Sequence, residues 1–208
     1  MLPAPLPTLA LGCLCAFLCG SIPFGLLLVK LAGKGDVREH GSGNIGATNV
    51  SRVGGKALGI VTLLLDIAKG FLPVFLAKKL GLGESILSLL AICAVLGHVF
   101  TPWLKFQGGK GVATALGVAL AFRAAMVLPA LGVFVALLLV FRYVSLGSVM
   151  AALALPVILV WKGATPLVLI LWTGISSIVI AKHHENIRRL LKGTESPLWG
   201  AKKEDAHG

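Results

Sequence analysis

The segment Val112-Ala-Thr-Ala-Leu-Gly-Val-Ala-Leu-Ala-Phe122, joined directly to Arg123, decides the topology of this chain. At 1.5 Å per residue it reaches only about 17 Å, short of a hydrocarbon core of about 30 Å. Its alternation of alanine and glycine (Ala113, Ala115, Gly117, Ala119, Ala121) nevertheless suits a short helix that approaches its neighbours closely inside a bundle. Counted as a helix, it makes seven, with two between each pair of neighbouring polar segments at 41–56, 105–111, 142–148 and 182–189. All four segments then meet on one membrane face. Merging 112–141 into one long span would place the later pair opposite the earlier one and bury Arg123 and Pro129 within it.

The other six helices are read from uncharged runs: Leu9 to Val29, Ala57 to Ala77, Ser85 to Leu104, Ala124 to Phe141, Val149 to Trp161 and Pro166 to Ala181. With 57% hydrophobic and 13% charged residues, the 208-residue chain carries about half the charge of a soluble domain. The expected fold is all-α: a polytopic integral membrane protein, a seven-helix bundle forming a single membrane domain over 1–208. The N-terminal apolar run lacks the basic flank of a signal peptide and is expected to remain as the first span.

The basic residues orient the bundle independently. Fourteen of nineteen fall on the face shared by the polar segments: Lys30, Lys34, Arg38, Arg52, Lys56, Lys105, Lys110, Arg142, Lys182, Arg188, Arg189, Lys192, Lys202 and Lys203. Four, Lys78, Lys79, Arg123 and Lys162, fall on the other, and Lys69 lies within a span. The positive-inside rule therefore expects the shared face and the C-terminus in the cytoplasm and the N-terminus outside. A net charge of +11 does not imply nucleic acid, because the basic residues are divided among apolar runs instead of forming one solvated face. Cys13, Cys15, Cys19 and Cys93 sit in apolar stretches without metal-ligand spacing and read as packed thiols.

Three glycine-dense or polar islands carry the chemistry. In Gly41-Ser-Gly-Asn-Ile-Gly-Ala-Thr-Asn49 the pattern Gly41-x-Gly43-x-x-Gly46 imitates a dinucleotide fingerprint, but no strand precedes it. Its glycines let backbone approach a ligand, and Ser42, Asn44, Thr48 and Asn49 add short polar groups. Arg52 can grip a phosphate at two points. A glycine turn with Asn caps is the plainer alternative. In Phe106-Gln-Gly-Gly-Lys-Gly-Val-Ala-Thr114, Lys110 stands among Gly108, Gly109 and Gly111 at a helix start, where an anion is favoured. It is not a Walker loop, because Gly111 occupies the magnesium-binding Ser/Thr position.

The third island, His183-His-Glu-Asn186, comes after the last span. Two adjacent histidines are not a zinc site, and no metal is expected. His183 and Asn186, three apart, share a helical face, while His184 points to solvent. Ser145 and Ser148 can face the same cavity, although serines at helix starts also serve as caps. Asp66 and Lys69, inside the second apolar run, are read as a pair that locks the bundle.

The ordered set of the first island with Arg52, Gly97-His-x-Phe100 with Phe106-x-Gly-Gly-Lys-Gly-Val-Ala-Thr114, and His183-x-Glu-Asn186 closely resembles the PlsY-type bacterial acyl-phosphate:glycerol-3-phosphate acyltransferases. The resemblance implies an enzyme of the bacterial inner membrane that moves a fatty acyl group from acyl phosphate to the 1-hydroxyl of glycerol 3-phosphate. Lysophosphatidate and inorganic phosphate would be released in the first acylation of phospholipid synthesis, with no cofactor. Combined with the islands, it assigns phosphate binding to Ser42, Arg52, Lys110 and the amides of both glycine islands. His183, Asn186 and Ser148 are assigned to orienting the attacking hydroxyl or the leaving phosphate. His183 is either a general base or a positioning group. A transporter for a phosphorylated anion is the competing reading, weakened by the gathering of polar segments at one face where a carrier places its site near the midplane.

Overall fold

The computed structural model describes residues 5–199, all of whose regular structure is helical. Lys202 and Lys203, counted for orientation, lie outside the described residues. The helices are α1 (Leu6–Ser21), α2 (Phe24–Leu31), α3 (Ala47–Gly54), α4 (Lys56–Lys79), α5 (Glu84–Val99), α6 (Val112–Phe141), α7 (Val144–Trp161), α8 (Pro166–Ala181) and α9 (His184–Leu191). By length and composition, four stretches can cross a membrane: Leu6–Leu31, Lys56–Lys79, Glu84–Leu104 and Val144–Trp161. Helices α8 and α9, bent by 56° across a short break, pass the same test only when taken together, which would make a fifth. Two shorter apolar helices remain, Val112–Ala125 and Val127–Phe141.

Those two are the halves of α6, so the short alanine- and glycine-rich segment is indeed set apart from the apolar run beyond it. At Arg123 the backbone leaves helical geometry (φ −151°, ψ 97°). The carbonyls of Ala121 and Phe122 there accept hydrogen bonds from Lys78 Nζ, at 3.1 and 2.9 Å. Arg123 itself pairs with Glu84 at the start of α5. The small residues of the first half serve close approach to α4. A Cβ on Gly117 would stand 2.0 Å from the Ile67 carbonyl oxygen, and one on Gly70 2.3 Å from that of Thr114.

Two of the spans differ from expectation. The run Leu9 to Val29 is broken at Ile22-Pro23, since Pro23 cannot donate to the preceding turn. Helix α7 begins at Val144 rather than Val149, which brings Ser145 and Ser148 inside its first turns.

The core is one apolar cluster shared by α1 and α4–α8, with Trp172 at its centre, fully buried and donating from Nε1 to Ser88 Oγ at 3.1 Å. A smaller cluster of Leu26, Val29, Val37, Ile45, Val50 and Leu104 lies beneath the first glycine island. That island is therefore seated on a hydrophobic base of its own.

Candidate active site

The first island owes its shape to Asn49, which is 2% exposed. Its Nδ2 donates to the carbonyls of Val37, His40 and Asn44 at 2.9–3.1 Å, while its Oδ1 accepts from the Ser42 amide at 2.9 Å. The Asn49 carboxamide is thus engaged in holding the loop. The Gly43 amide is likewise given to the His40 carbonyl and that of Gly46 to Asn44 Oδ1. What the loop presents outward is the start of α3. The amides of Ala47 and Thr48 have no acceptor among the described residues, as the first turn of a helix leaves them.

The second island is pinned in the same way. Gly108 and Gly109 donate their amides to the carbonyls of Val99 and His98, both at 3.1 Å, so neither amide is free to bind phosphate as expected from sequence. Gly111, at φ 85°, turns the chain into α6 and leaves Lys110 projecting from the turn.

The islands meet around one cavity of about 760 Å³. Ser42, Asn44, Gly46, Thr48 and Arg52 border it from the first island, and Lys110 and Gly111 from the second. Ser145 and Ser148 border it from α7, and His183 and Asn186 from the α8–α9 junction. Asn49 touches it as well; Gly43, Gly108 and Gly109 do not. Beyond this polar mouth the wall becomes apolar, running through Leu116, Ala119, Phe134, Ala152 and Leu155 into the bundle.

One residue that sequence reasoning missed organises the mouth. Glu195 lies in the stretch after α9, which carries no periodicity, yet it is buried. Its Oε1 accepts from Ser145 Oγ and Asn186 Nδ2, each at 2.6 Å, and its Oε2 from Arg189 Nε at 2.7 Å. Asn186 Oδ1 in turn accepts from Lys110 Nζ. A single carboxylate therefore joins α7, α9 and, through Asn186, the Lys110 turn. Arg189, three residues after Asn186 on the same face of α9, was the available clue. Arg52 Nη2 reaches the Ser196 carbonyl at 3.4 Å, so the C-terminal stretch closes one side of the mouth.

Electrostatically the mouth is cationic, with Glu195 as the carboxylate bonded into it. Burial pulls the Lys110 ammonium below its ordinary value, while Glu195 works the other way. Burial also pushes Glu195 up, but the hydrogen bonds from Ser145, Asn186 and Arg189 outweigh it and leave the carboxylate below its usual range. His183 is 2% exposed, and burial brings it down to about 4. Near neutral pH its ring is uncharged, so Nδ1–H donates to the Val179 carbonyl at 2.7 Å and Nε2 keeps a lone pair. His184 is exposed, as expected.

The chain is similar to known proteins along most of its length. The profile of the family described as Glycerol-3-phosphate acyltransferase matches residues 10–193. The glycerol-3-phosphate acyltransferase of Trichlorobacter lovleyi is 55% identical over 181 residues, covering 87% of this chain and 93% of that protein. That of Geobacter sulfurreducens is 50% identical with the same coverage. Crystal structures of PlsY, an integral membrane glycerol 3-phosphate acyltransferase, superpose with TM-scores of 0.88 for its glycerol 3-phosphate form and 0.84 for its lysophosphatidic acid form. Both are 40% identical to this chain. The first covers 93% of this chain and 96% of PlsY, the second 91% and 95%. The chain belongs to the glycerol-3-phosphate acyltransferase family and is a multi-pass integral membrane protein.

Proposed function

We propose that this member of the glycerol-3-phosphate acyltransferase family takes its fatty acyl group from acyl phosphate and delivers it to the 1-hydroxyl of glycerol 3-phosphate within this cavity. The observation that carries this reading is the convergence of four segments, up to about 140 residues apart, on one mouth where cations stand above an apolar chamber. Two phosphates and one fatty tail are the ligands such a shape suits. Arg52 and Lys110 hold the phosphates, aided by the free amides at the start of α3 and by Ser42 and Thr48. The acyl chain lies along Leu116, Phe134 and Leu155.

Acyl phosphate is a mixed anhydride with a good leaving group, so the protein needs chiefly to align the reactants and stabilise charge. The glycerol 1-oxygen attacks the acyl carbon, an ester bond forms, and the bond from that carbon to the phosphate oxygen breaks. Phosphate departs with the electron pair. An imidazole held near 4 is a weak base at neutral pH, whereas a phosphate titrates near about 6. The hydroxyl proton therefore ends on the departing phosphate, and His183 Nε2 serves to orient the hydroxyl. Asn186 and Ser148 support that placement.

In the membrane we read the two halves of α6 as separate crossings. This gives seven helices, with the mouth toward the cytoplasm of the inner membrane and the N-terminus outside. Purified protein in lipid, offered labelled glycerol 3-phosphate with acyl phosphate, acyl-CoA or acyl carrier protein in parallel, tests the donor. Lysophosphatidate should form from acyl phosphate alone, and equal turnover with acyl-CoA overturns the assignment. Single cysteines at Lys105 and His184, on either side of α6 in the chain, labelled from each side of the bilayer, test the topology. Labelling of the two from opposite sides removes the seven-crossing arrangement.

A further inference from the structure

Beneath the mouth lies a group of buried polar residues that acyl transfer as proposed does not use. Asp66 and Lys69 of α4 and His98 of α5 are 2%, 3% and 4% exposed. Lys69 Nζ stands 2.8 Å from Asp66 Oδ1 and donates to the Ile22 carbonyl at 2.8 Å, at the break between α1 and α2. Asp66 Oδ1 is also 3.8 Å from His98 Nδ1, too long for a direct hydrogen bond. Asp66 and His98 border the same cavity as Lys110.

A bundle lock alone does not account for this group. Well-packed apolar side chains join helices at least as stably as a buried ion pair, and ionisable groups at membrane depth are costly. The group also ends on the phosphate-binding turn, not merely on a helix. His98 gives its carbonyl to the Gly109 amide, and its ring lies directly against Gly109. A Cβ on Gly109 would stand 2.1 Å from His98 Nε2, so only glycine lets the turn rest on the imidazole. The next residue is Lys110.

We propose that His98, backed by Asp66 and Lys69, is a positioning residue for Lys110: its ring is the seat that fixes how far the Gly108-Gly109 turn carries the ammonium into the cavity. The inference rests on the reading of Lys110 as a phosphate ligand. In this arrangement His98 acts on the phosphate through Lys110. Lys69 ties the seat to the α1–α2 break. Helix α2 packs with α3, so the same group also relates Lys110 to the element bearing Arg52.

A double-mutant cycle on phosphate affinity tests this. Binding of inorganic phosphate to the purified protein in lipid nanodiscs is measured for wild type, His98→Ala, Lys110→Ala and the double variant, with thermal melting of each. His98→Ala should weaken phosphate binding about ten-fold and melt at a lower temperature while remaining cooperatively folded, and the double variant should bind no worse than Lys110→Ala. His98→Gln, which keeps a planar group of similar reach, should recover most of the affinity, and Asp66→Asn should lose part of it. Unaltered affinity in folded His98→Ala, or the same ten-fold loss repeated in the Lys110→Ala background, overturns the positioning role. Should His98→Ala not fold, Asp66→Asn carries the same cycle: its partial loss should vanish in the Lys110→Ala background, and its persistence there overturns the positioning role. Lys110→Ala binding phosphate as wild type does would instead overturn the reading of Lys110 itself, a separate outcome.

Discussion

The two ends of the bundle hold cations in opposite conditions. At the end marked by Glu84, two of the four bond to the protein and two lie exposed beside an aromatic ring. Lys78 caps the carbonyls at the α6 break, and Arg123 pairs with Glu84. Lys79 lies 5.5 Å from the ring of Phe75 and Lys162 5.2 Å from that of Trp161. At the other end, Arg52, Lys110 and Arg189 surround a cavity, and of the three only Arg189 bonds a carboxylate of the mouth, Glu195, directly, while Lys110 reaches it through Asn186. Positive charge at a membrane protein's ends is ordinary. What distinguishes a site is cation capacity left over after the fold has used what it needs, next to a space that a ligand can enter.

If that contrast is sound, its largest consequence is at Lys110 and Arg52. Lys110→Ala and Arg52→Ala should each reduce acyl transfer by about 10²-fold or more, because each removes charge stabilisation from a site with little redundancy. Far-ultraviolet circular dichroism and melting should show that both variants remain folded. Turnover within a few-fold of wild type in either would return that residue to the class of ordinary orienting charges.

Glu195 should show the next largest effect, and of a different kind. Glu195→Ala leaves Asn186, Ser145 and Arg189 without their shared acceptor, at a cost of about 3 kcal/mol or more in a buried setting. Both melting temperature and activity should fall together, unlike the Lys110 and Arg52 variants. Its native carboxyl lies below its unfolded value of about 4.5, so its contribution is present above that pH and lost as pH falls through the native value. Melting of wild type between pH 3 and 7 should therefore lose a component that Glu195→Gln lacks.

Much of this architecture was legible in the chain. Helix α8 begins and ends where Pro166 and Ala181 predicted, and α4 is bounded by the lysines flanking its apolar run. Arg123 marked the break in α6, because a charged residue in mid-run cannot sit in hydrocarbon unpaired. The convergence of Arg52, Lys110, Ser148, His183 and Asn186 came from counting helices. Other features were not legible. Whether a glycine amide faces a ligand or a neighbouring carbonyl depends on tertiary contacts, which is why Gly108 and Gly109 were misread. Asn49 reads as a binding residue, and only the structure shows its carboxamide spanning three carbonyls of its own loop. Glu195 was invisible because one acidic residue in a short polar stretch has no period and no motif physics. The bundle break at Pro23 was obscured by uninterrupted hydrophobicity on both sides.

Between the two histidines of the third island the contrast recurs on a smaller scale. His183 is buried with its lone pair retained, while His184 is exposed. Ring nitrogen shifts of His183 should titrate with a midpoint near 4. Its native value lies below the unfolded 6.5, so the stability it contributes is whole above that pH and lost as pH falls toward the native midpoint. His183→Gln should cost about ten-fold in turnover through lost orientation, and His184→Ala less than about two-fold. A His183 midpoint near 7 would make a general base tenable again and displace phosphate as the proton's destination.

The smallest effect on catalysis should come from the end marked by Glu84. Lys78→Met removes the donor to the Ala121 and Phe122 carbonyls but keeps the stem that packs there. Those carbonyls sit near the bundle end, where water is an available substitute partner, so the loss should be only about 1 kcal/mol in melting. Turnover should remain within about two-fold. A large fall in turnover with melting intact would mean that the α6 break transmits geometry to the mouth. The two ends would then be one mechanical unit, because the half-helix leaving Lys110 ends on the carbonyls that Lys78 holds.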